Sequence, residues 1–182
     1  MQRRLISWLY QGLSIDKNGQ RRIFSMVEKQ TLLGTGETAP DFVLKDQNGK
    51  DFKLSELRGK RVLLSFHPLA WTEVCAKQMQ SLEANRDILV SLNTVPVGLS
   101  VDTVPSKKAW ADNLGIKVVP LLSDFWPHGQ VASAYGIFRS KNGFSERANI
   151  IVDENGKIVF FKVYEIRQLP DISEIIGFIR GL

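Results

Sequence analysis

One cysteine and two histidines are all that 182 residues offer of the commonest redox and metal-binding side chains. A single thiol excludes an internal disulfide and any reaction that needs two thiols in one site, such as classical disulfide reduction. It fits a reducing compartment, and a cytoplasmic location is expected, while a bridge between two chains stays open. Scattered as they are, these residues give no close metal-ligand spacing, so neither a metal nor another cofactor is expected. No run reaches the roughly eighteen continuous apolar residues of a membrane-spanning helix. The N-terminus lacks the long apolar core and small-residue cleavage site of a secretory signal. Gly-rich phosphate loops, a Ser-His-Asp pattern and a Cys-x-x-Cys pair are also missing. Acid is scarce in one place: residues 1–25 carry Arg3, Arg4, Lys17, Arg21 and Arg22 against Asp16 alone, which is +4 of the net +5. The rest of the chain stands near neutrality, at +1, and a nucleic-acid partner loses its main support.

What the chain does hold is apolar material, 43% of its residues, enough for one globular domain to bury a core without staples. The expected organisation is a basic N-terminal extension over residues 1–25, then one domain over 26–182. Three readings of the extension stand side by side: a segment similar to a mitochondrial presequence, a translation start assigned upstream of a true beginning at Met26, and a mobile basic tail. In all three it stays outside the fold.

Asp41-Phe42-Val43-Leu44 and the extended stretch resuming at Phe52 and Leu54 flank Asn48-Gly49, which tolerates positive φ, so a hairpin is predicted there. Val62-Leu63-Leu64-Ser65-Phe66 reads as a strand buried on both faces and central in a sheet. From 72 to about 92, Cys75, Met79, Leu82 and Leu89 mark one face of a helix. Strands over 95–100 and 118–122 alternate with a helix over 106–114, which indicates parallel pairing with right-handed crossovers. A short helix over 131–135 follows. Strands 148–152 and 158–164 flank Asn155-Gly156 as a second hairpin, and a last helix starts near Asp171 with Ile172, Ile175, Ile176 and Ile179 inward. The fold class is α/β: a thioredoxin-like plan with a central mixed sheet, helices on both faces and an N-terminal β-hairpin. No repeat or linker divides it.

The chemistry concentrates in Phe66-His67-Pro68-Leu69-Ala70-Trp71-Thr72-Glu73-Val74-Cys75, the join between the central strand and the first long helix. With Thr72 as N-cap, its hydroxyl is placed to accept from the N–H of Cys75. Cys75 then stands in the first turn, where unpaired N–H groups and the helix dipole favour a thiolate. Ionisation alone gives little: a thiol taken from about 3% to about 90% thiolate at pH 7 gains roughly thirtyfold, partly offset by weaker nucleophilicity. Fast attack on a peroxide also needs the O–O bond aligned and the charge on the departing oxygen stabilised. Thr72 offers a hydroxyl for this. Arg147, at the start of the strand over 148–152, is the best candidate for a guanidinium touching both sulfur and peroxide, with Glu146 or Gln78 to hold it. Pro68 stiffens the loop and covers the sulfur. His67 has two readings, a hydrogen bond to the thiolate or its oxidised form and a structural role; the structural one is preferred, and His67 stays outside the catalytic set. Trp71 and Trp126 either line the mouth or a subunit contact, or pack in the core.

Pro68-x-x-x-Thr72-x-x-Cys75, with Gln78 three residues on and Glu146-Arg147 ahead of Val152-Asp153-x-x-Gly156, resembles the signature of the peroxiredoxin family, the AhpC/TSA superfamily. A Pro seven before and a Thr or Ser three before a cysteine coincide by chance in well under about 1% of contexts, given about 5% Pro in average composition. The resemblance covers about residues 36–180 and includes Ala39-Pro40-Asp41-Phe42. Phe125-Trp126-Pro127-His128-Gly129 and Ala134-Tyr135-Gly136 are most similar to the alkyl hydroperoxide reductase E-type group. His67-Pro68 is also similar to the one-cysteine mammalian type, whose long C-terminal extension is absent here.

This resemblance implies a one-cysteine, thiol-dependent peroxidase for hydrogen peroxide and organic hydroperoxides. Cys75 would cycle through a sulfenic acid, and Pro68, Thr72 and Arg147 would complete the pocket. It also implies a homodimer or a larger homo-oligomer. With no resolving cysteine, the sulfenic acid must be reduced from outside, by thioredoxin, a glutaredoxin-like protein or a low-molecular-weight thiol. Ala76 and Asn149 depart from positions where the family often has a small hydroxyl residue or proline. Two alternatives remain: a thioredoxin-fold redox sensor or binding protein without turnover, and a homodimer bridged through Cys75.

Overall fold

The computed structural model describes the backbone of residues 5–15 and 21–31, and residues 33–182 in full. The chain divides into two compact units at Leu33/Gly34. In the first, β1 (Leu5–Ile15) pairs antiparallel with β2 (Arg21–Thr31), from Leu5 opposite Thr31 to Ile15 opposite Arg21. The boundary expected at residues 25/26 falls inside β2. Residues 1–4 and 16–20 of the basic extension, Arg3, Arg4 and Lys17 among them, lie outside the described residues, as do the side chains of Arg21 and Arg22.

The second unit runs β3 (Val43–Lys45), β4 (Asp51–Lys53), a 3-10 turn at Leu54–Leu57, β5 (Arg61–Phe66), α1 (Glu73–Ala84), α2 (Arg86–Ser91), β6 (Thr94–Ser100), α3 (Val104–Leu114), β7 (Leu121–Ser123), α4 (Gln130–Ala134), β8 (Phe138–Arg139), β9 (Phe144–Ser145), β10 (Arg147–Val152), β11 (Ile158–Tyr164) and α5 (Ile172–Arg180). Seven strands form one mixed sheet in the order β11-β10-β5-β6-β7-β3-β4. β5, β6 and β7 are parallel, and β10 is antiparallel to both β5 and β11. The two predicted hairpins are there, β3–β4 around Gly49 at φ 78° and β10–β11 around Gly156 at the same φ.

Strand alternation sorts the core. Leu63 and Ile151 point to the face where α1, α2, α3 and α5 bury Met79, Leu82, Leu89, Trp110 and Ile175 in one cluster. Phe66 points the other way and meets Tyr135, beside α4, at 5.9 Å between ring centroids. Gly98 in β6 has no side chain to place against α1, and the sulfur of Met79 occupies the space that a Cβ there would need.

Two elements differ from expectation, each for a local reason. The helix predicted over 72–92 breaks in two at Asn85, which leaves helical geometry at φ −103°, ψ 8° and donates its side-chain amide to the Ser81 carbonyl at 2.9 Å. The strand predicted over 118–122 starts only at Leu121. The Glu83 carboxylate at the end of α1 accepts from the N–H groups of Lys117, Val118 and Val119 at 2.9–3.4 Å, removing them from any ladder. Pro120 has no N–H to offer. The Gln47 side chain then donates to the Val119 carbonyl at 3.2 Å and accepts from the Leu121 N–H at 2.8 Å. Glu83→Ala leaves these donors without their charged acceptor and is expected to cost about 2–3 kcal/mol. Urea unfolding checks this, and a midpoint equal to that of the wild type removes the assigned role.

Candidate active site

The sheet brings Arg147 to Cys75 by register alone. β10 runs antiparallel to β5, with Ala148 opposite Phe66 and Asn149 opposite Ser65. The first residue of β10 therefore lies beside the end of β5, where the chain departs toward Pro68 and Cys75. Alternation puts Arg147, Asn149 and Ser65 on the face that α1 covers.

Gln78, one turn after Cys75, completes the contact. Its amide nitrogen donates to Ser65 Oγ at 2.7 Å and to the Phe66 carbonyl at 3.3 Å, and Ser65 Oγ donates to Asn149 Oδ1 at 2.8 Å. Thus oriented, Gln78 Oε1 accepts from Arg147 Nη1. Nε and Nη2 of Arg147 donate to the Ile166 carbonyl at 3.0 and 2.8 Å, and Nη2 also donates to Cys75 Sγ at 3.4 Å. Arg147 is 2% exposed and Cys75 0%, so this donor meets the sulfur out of bulk water. Glu146 does not hold Arg147, contrary to one expectation; it pairs with Arg139 at 3.0 Å.

Thr72 occupies the N-cap of α1 with extended backbone, φ −109° and ψ 145°. Its hydroxyl does not accept from the Cys75 N–H as predicted. It donates back to the Leu69 carbonyl at 3.0 Å, across the turn it closes. The first-turn N–H groups keep no side-chain acceptor, and the threonine oxygen keeps its lone pairs. Pro68 is buried in the same turn, Leu69 and Thr72 are exposed, and Trp71 adopts φ 65°.

His67 is buried with neither ring nitrogen hydrogen-bonded among the described residues, and it packs on Trp110 at 5.2 Å between centroids. Burial holds its pKa well below 6.5, assisted by the positive charges of Lys107 and Arg147. The ring makes no hydrogen bond to the sulfur. Trp71 and Trp126 are exposed, at 56% and 80%, and the Trp71 indole donates to Ser106 Oγ at 3.1 Å.

Sequence reading did not find Ser65, Lys107, Asp102 or the Ile166 carbonyl. Ser65 had a signal, a lone hydroxyl inside an apolar strand. Lys107 had another: it stands three and four residues before Trp110 and Ala111 on the inward stripe of α3. A backbone carbonyl has none.

Residues 35–161 match the AhpC/TSA family. Alkyl hydroperoxide reductase E of Mycobacterium tuberculosis is 39% identical over 141 residues, covering 77% of this chain and 92% of that one. Among solved structures, peroxidoxin BcpB of Mycobacterium tuberculosis superposes with a TM-score of 0.72 at 26% identity, covering 81% of this chain and 97% of that one. The reduced 2-Cys peroxiredoxin of Plasmodium vivax gives 0.73 at 27% identity and 80% of each chain.

The buried imidazole has a pH consequence. Below the ordinary imidazole value of 6.5 the unfolded chain takes up a proton that folded His67 refuses, so stability falls as pH falls. The expected contribution is up to about 1.4 kcal/mol per pH unit. His67→Phe keeps the contact with Trp110 and should lose this component between pH 6.5 and 5. Equal pH slopes of unfolding free energy in the two proteins would refute it.

Proposed function

The chain belongs to the AhpC/TSA family and is a thiol-dependent peroxidase of the one-cysteine type; we propose that Cys75 is its peroxide-attacking residue, with Arg147, Thr72 and Pro68 completing the site. The observation that carries this assignment is the 3.4 Å approach of Arg147 Nη2 to Cys75 Sγ, at a guanidinium already fixed by Gln78 and Ile166. A donor fixed in advance needs no reorganisation when charge moves from sulfur to oxygen, and excluded water strengthens its effect.

The Cys75 thiolate attacks one peroxide oxygen, the S–O bond forms as the O–O bond breaks, and the leaving oxygen takes a proton to become water or an alcohol. Arg147 faces the thiolate and then the developing oxyanion. Thr72, whose proton is engaged by Leu69, accepts a hydrogen bond from the peroxide O–H. Pro68 keeps the turn closed over the sulfur. Two external thiols then reduce the sulfenic acid, releasing water and a disulfide and restoring Cys75. That thiol is thioredoxin, a glutaredoxin-like protein or a small thiol; hydrogen peroxide and organic hydroperoxides are the substrates, and the working form is a homodimer or a larger homo-oligomer in the cytoplasm. Among the described residues no helix is long and apolar enough to cross a membrane. A redox sensor without turnover is not favoured.

Stopped-flow tryptophan fluorescence of the reduced protein mixed with hydrogen peroxide tests the assignment. Cys75→Ser is expected to show no oxidation phase. Arg147→Met is expected to slow oxidation by about 100-fold or more, and Thr72→Val by about tenfold, with the fold retained. A wild-type rate constant no larger than that of free cysteine would refute the peroxide-attacking role of Cys75.

A further inference from the structure

Lys107 is fully buried, at 0% exposure, one turn into α3. Its ammonium donates to Ser100 Oγ at 2.6 Å. Ser100 Oγ donates in turn to Asp102 Oδ2 at 2.7 Å, and the same carboxylate oxygen accepts from the Ala70 N–H at 2.8 Å. Ala70 lies in the turn between Pro68 and Thr72. This chain of three short bonds therefore ties the turn that leads into α1 and Cys75 to a buried cation. A second tie runs beside it, from the Trp71 indole to Ser106 on the same helix. Trp71 sits at φ 65°, a conformation that costs a non-glycine residue energy and persists only where the surroundings enforce it.

An ammonium removed from water is unfavourable unless opposite charge compensates it. Burial lowers the pKa of Lys107 to about 8, and negative charge at Asp102, Asp124 and Cys75 opposes the loss of its proton. A thiolate at position 75 and the ammonium of Lys107 attract one another, and burial weakens the screening between them. The other titratable groups around the pair are Arg147, donating to the sulfur from β10, and His67, which burial and the charges of Lys107 and Arg147 keep neutral.

We propose that Lys107 is a positioning residue of the peroxide reaction: it fixes Ser100 and Asp102, which hold Ala70 and the turn over the sulfur, and it supplies a second buried cation to Cys75 besides Arg147. This rests on the peroxidase assignment, and it adds to it a residue that does not touch the peroxide. Because the bond chain runs through Ser100, the mechanical and the electrostatic roles separate: Ser100→Ala cuts the tie and keeps the charge, whereas Lys107→Met removes both.

The test compares the wild type, Lys107→Met and Ser100→Ala by circular dichroism, by thiolate absorbance at 240 nm against pH with Cys75→Ser as the blank, and by stopped-flow oxidation with hydrogen peroxide. Lys107→Met is expected to raise the midpoint of thiolate formation by about one pH unit and to slow oxidation at pH 7 about tenfold. Ser100→Ala is expected to slow oxidation about threefold, with a smaller midpoint change. A folded Lys107→Met with the wild-type midpoint and rate overturns the proposal. If that variant does not fold, Ser100→Ala decides: a wild-type rate overturns the proposal, and a reduced rate with native circular dichroism upholds it. Thiolate absorbance involves no peroxide. A wild-type protein that is slow with peroxide therefore removes the peroxidase assignment of Cys75, while the midpoint shift still reads the cation.

Discussion

A guanidinium carried into a protein interior has five N–H donors to satisfy and a charge to compensate, and the site is arranged around meeting that demand for Arg147. One carbonyl, one amide and one sulfur share the load. Each is itself fixed: Gln78 through Ser65 and Phe66, the sulfur through its place in the first turn of α1. A thiol at this position is thus one acceptor of a buried arginine as well as the proposed reactive group. Structure and chemistry draw on one contact.

The placement of α1 follows from the same economy of polar groups. At its C-terminal end Glu83 gathers three backbone N–H groups of the segment before β7, and in its middle Met79 comes close over Gly98. The helix is anchored at both levels to strands on the far side of β5. Its N-terminus, and Cys75 with it, has little freedom to drift from β10. Rigidity of this kind favours a reaction that needs three groups aligned on one small molecule.

How far the sequence could be read depended on the kind of signal. Apolar runs and Asn-Gly pairs identified the central strand, both hairpins and the helix faces, because period and turn chemistry are local properties. The spacing of Pro68, Thr72 and Cys75 was equally local, and Arg147 was reachable through its position ahead of a strand. What stayed hidden depended on competition for hydrogen bonds. Thr72 gives its proton to Leu69 instead of accepting from Cys75. Glu83 shortens β7 by taking donors that propensity alone would grant to the strand. Glu146 finds Arg139 and leaves Arg147 to Gln78. The strands β1 and β2 are another matter: Asn18-Gly19 separates them in sequence, the same punctuation used elsewhere, but the surrounding concentration of basic charge is also the mark of an unpacked tail.

The small β8–β9 hairpin lies between α4 and β10, its strands pairing Phe138 with Ser145 and Arg139 with Phe144. Its tip, residues 140–143, makes no hydrogen bond to Cys75, Thr72 or Arg147. The position of Arg147 is inherited from the β5–β10 register and not from this excursion. The tip is accordingly a place where length and composition can drift between relatives, or where an epitope can be grafted, without retuning the sulfur.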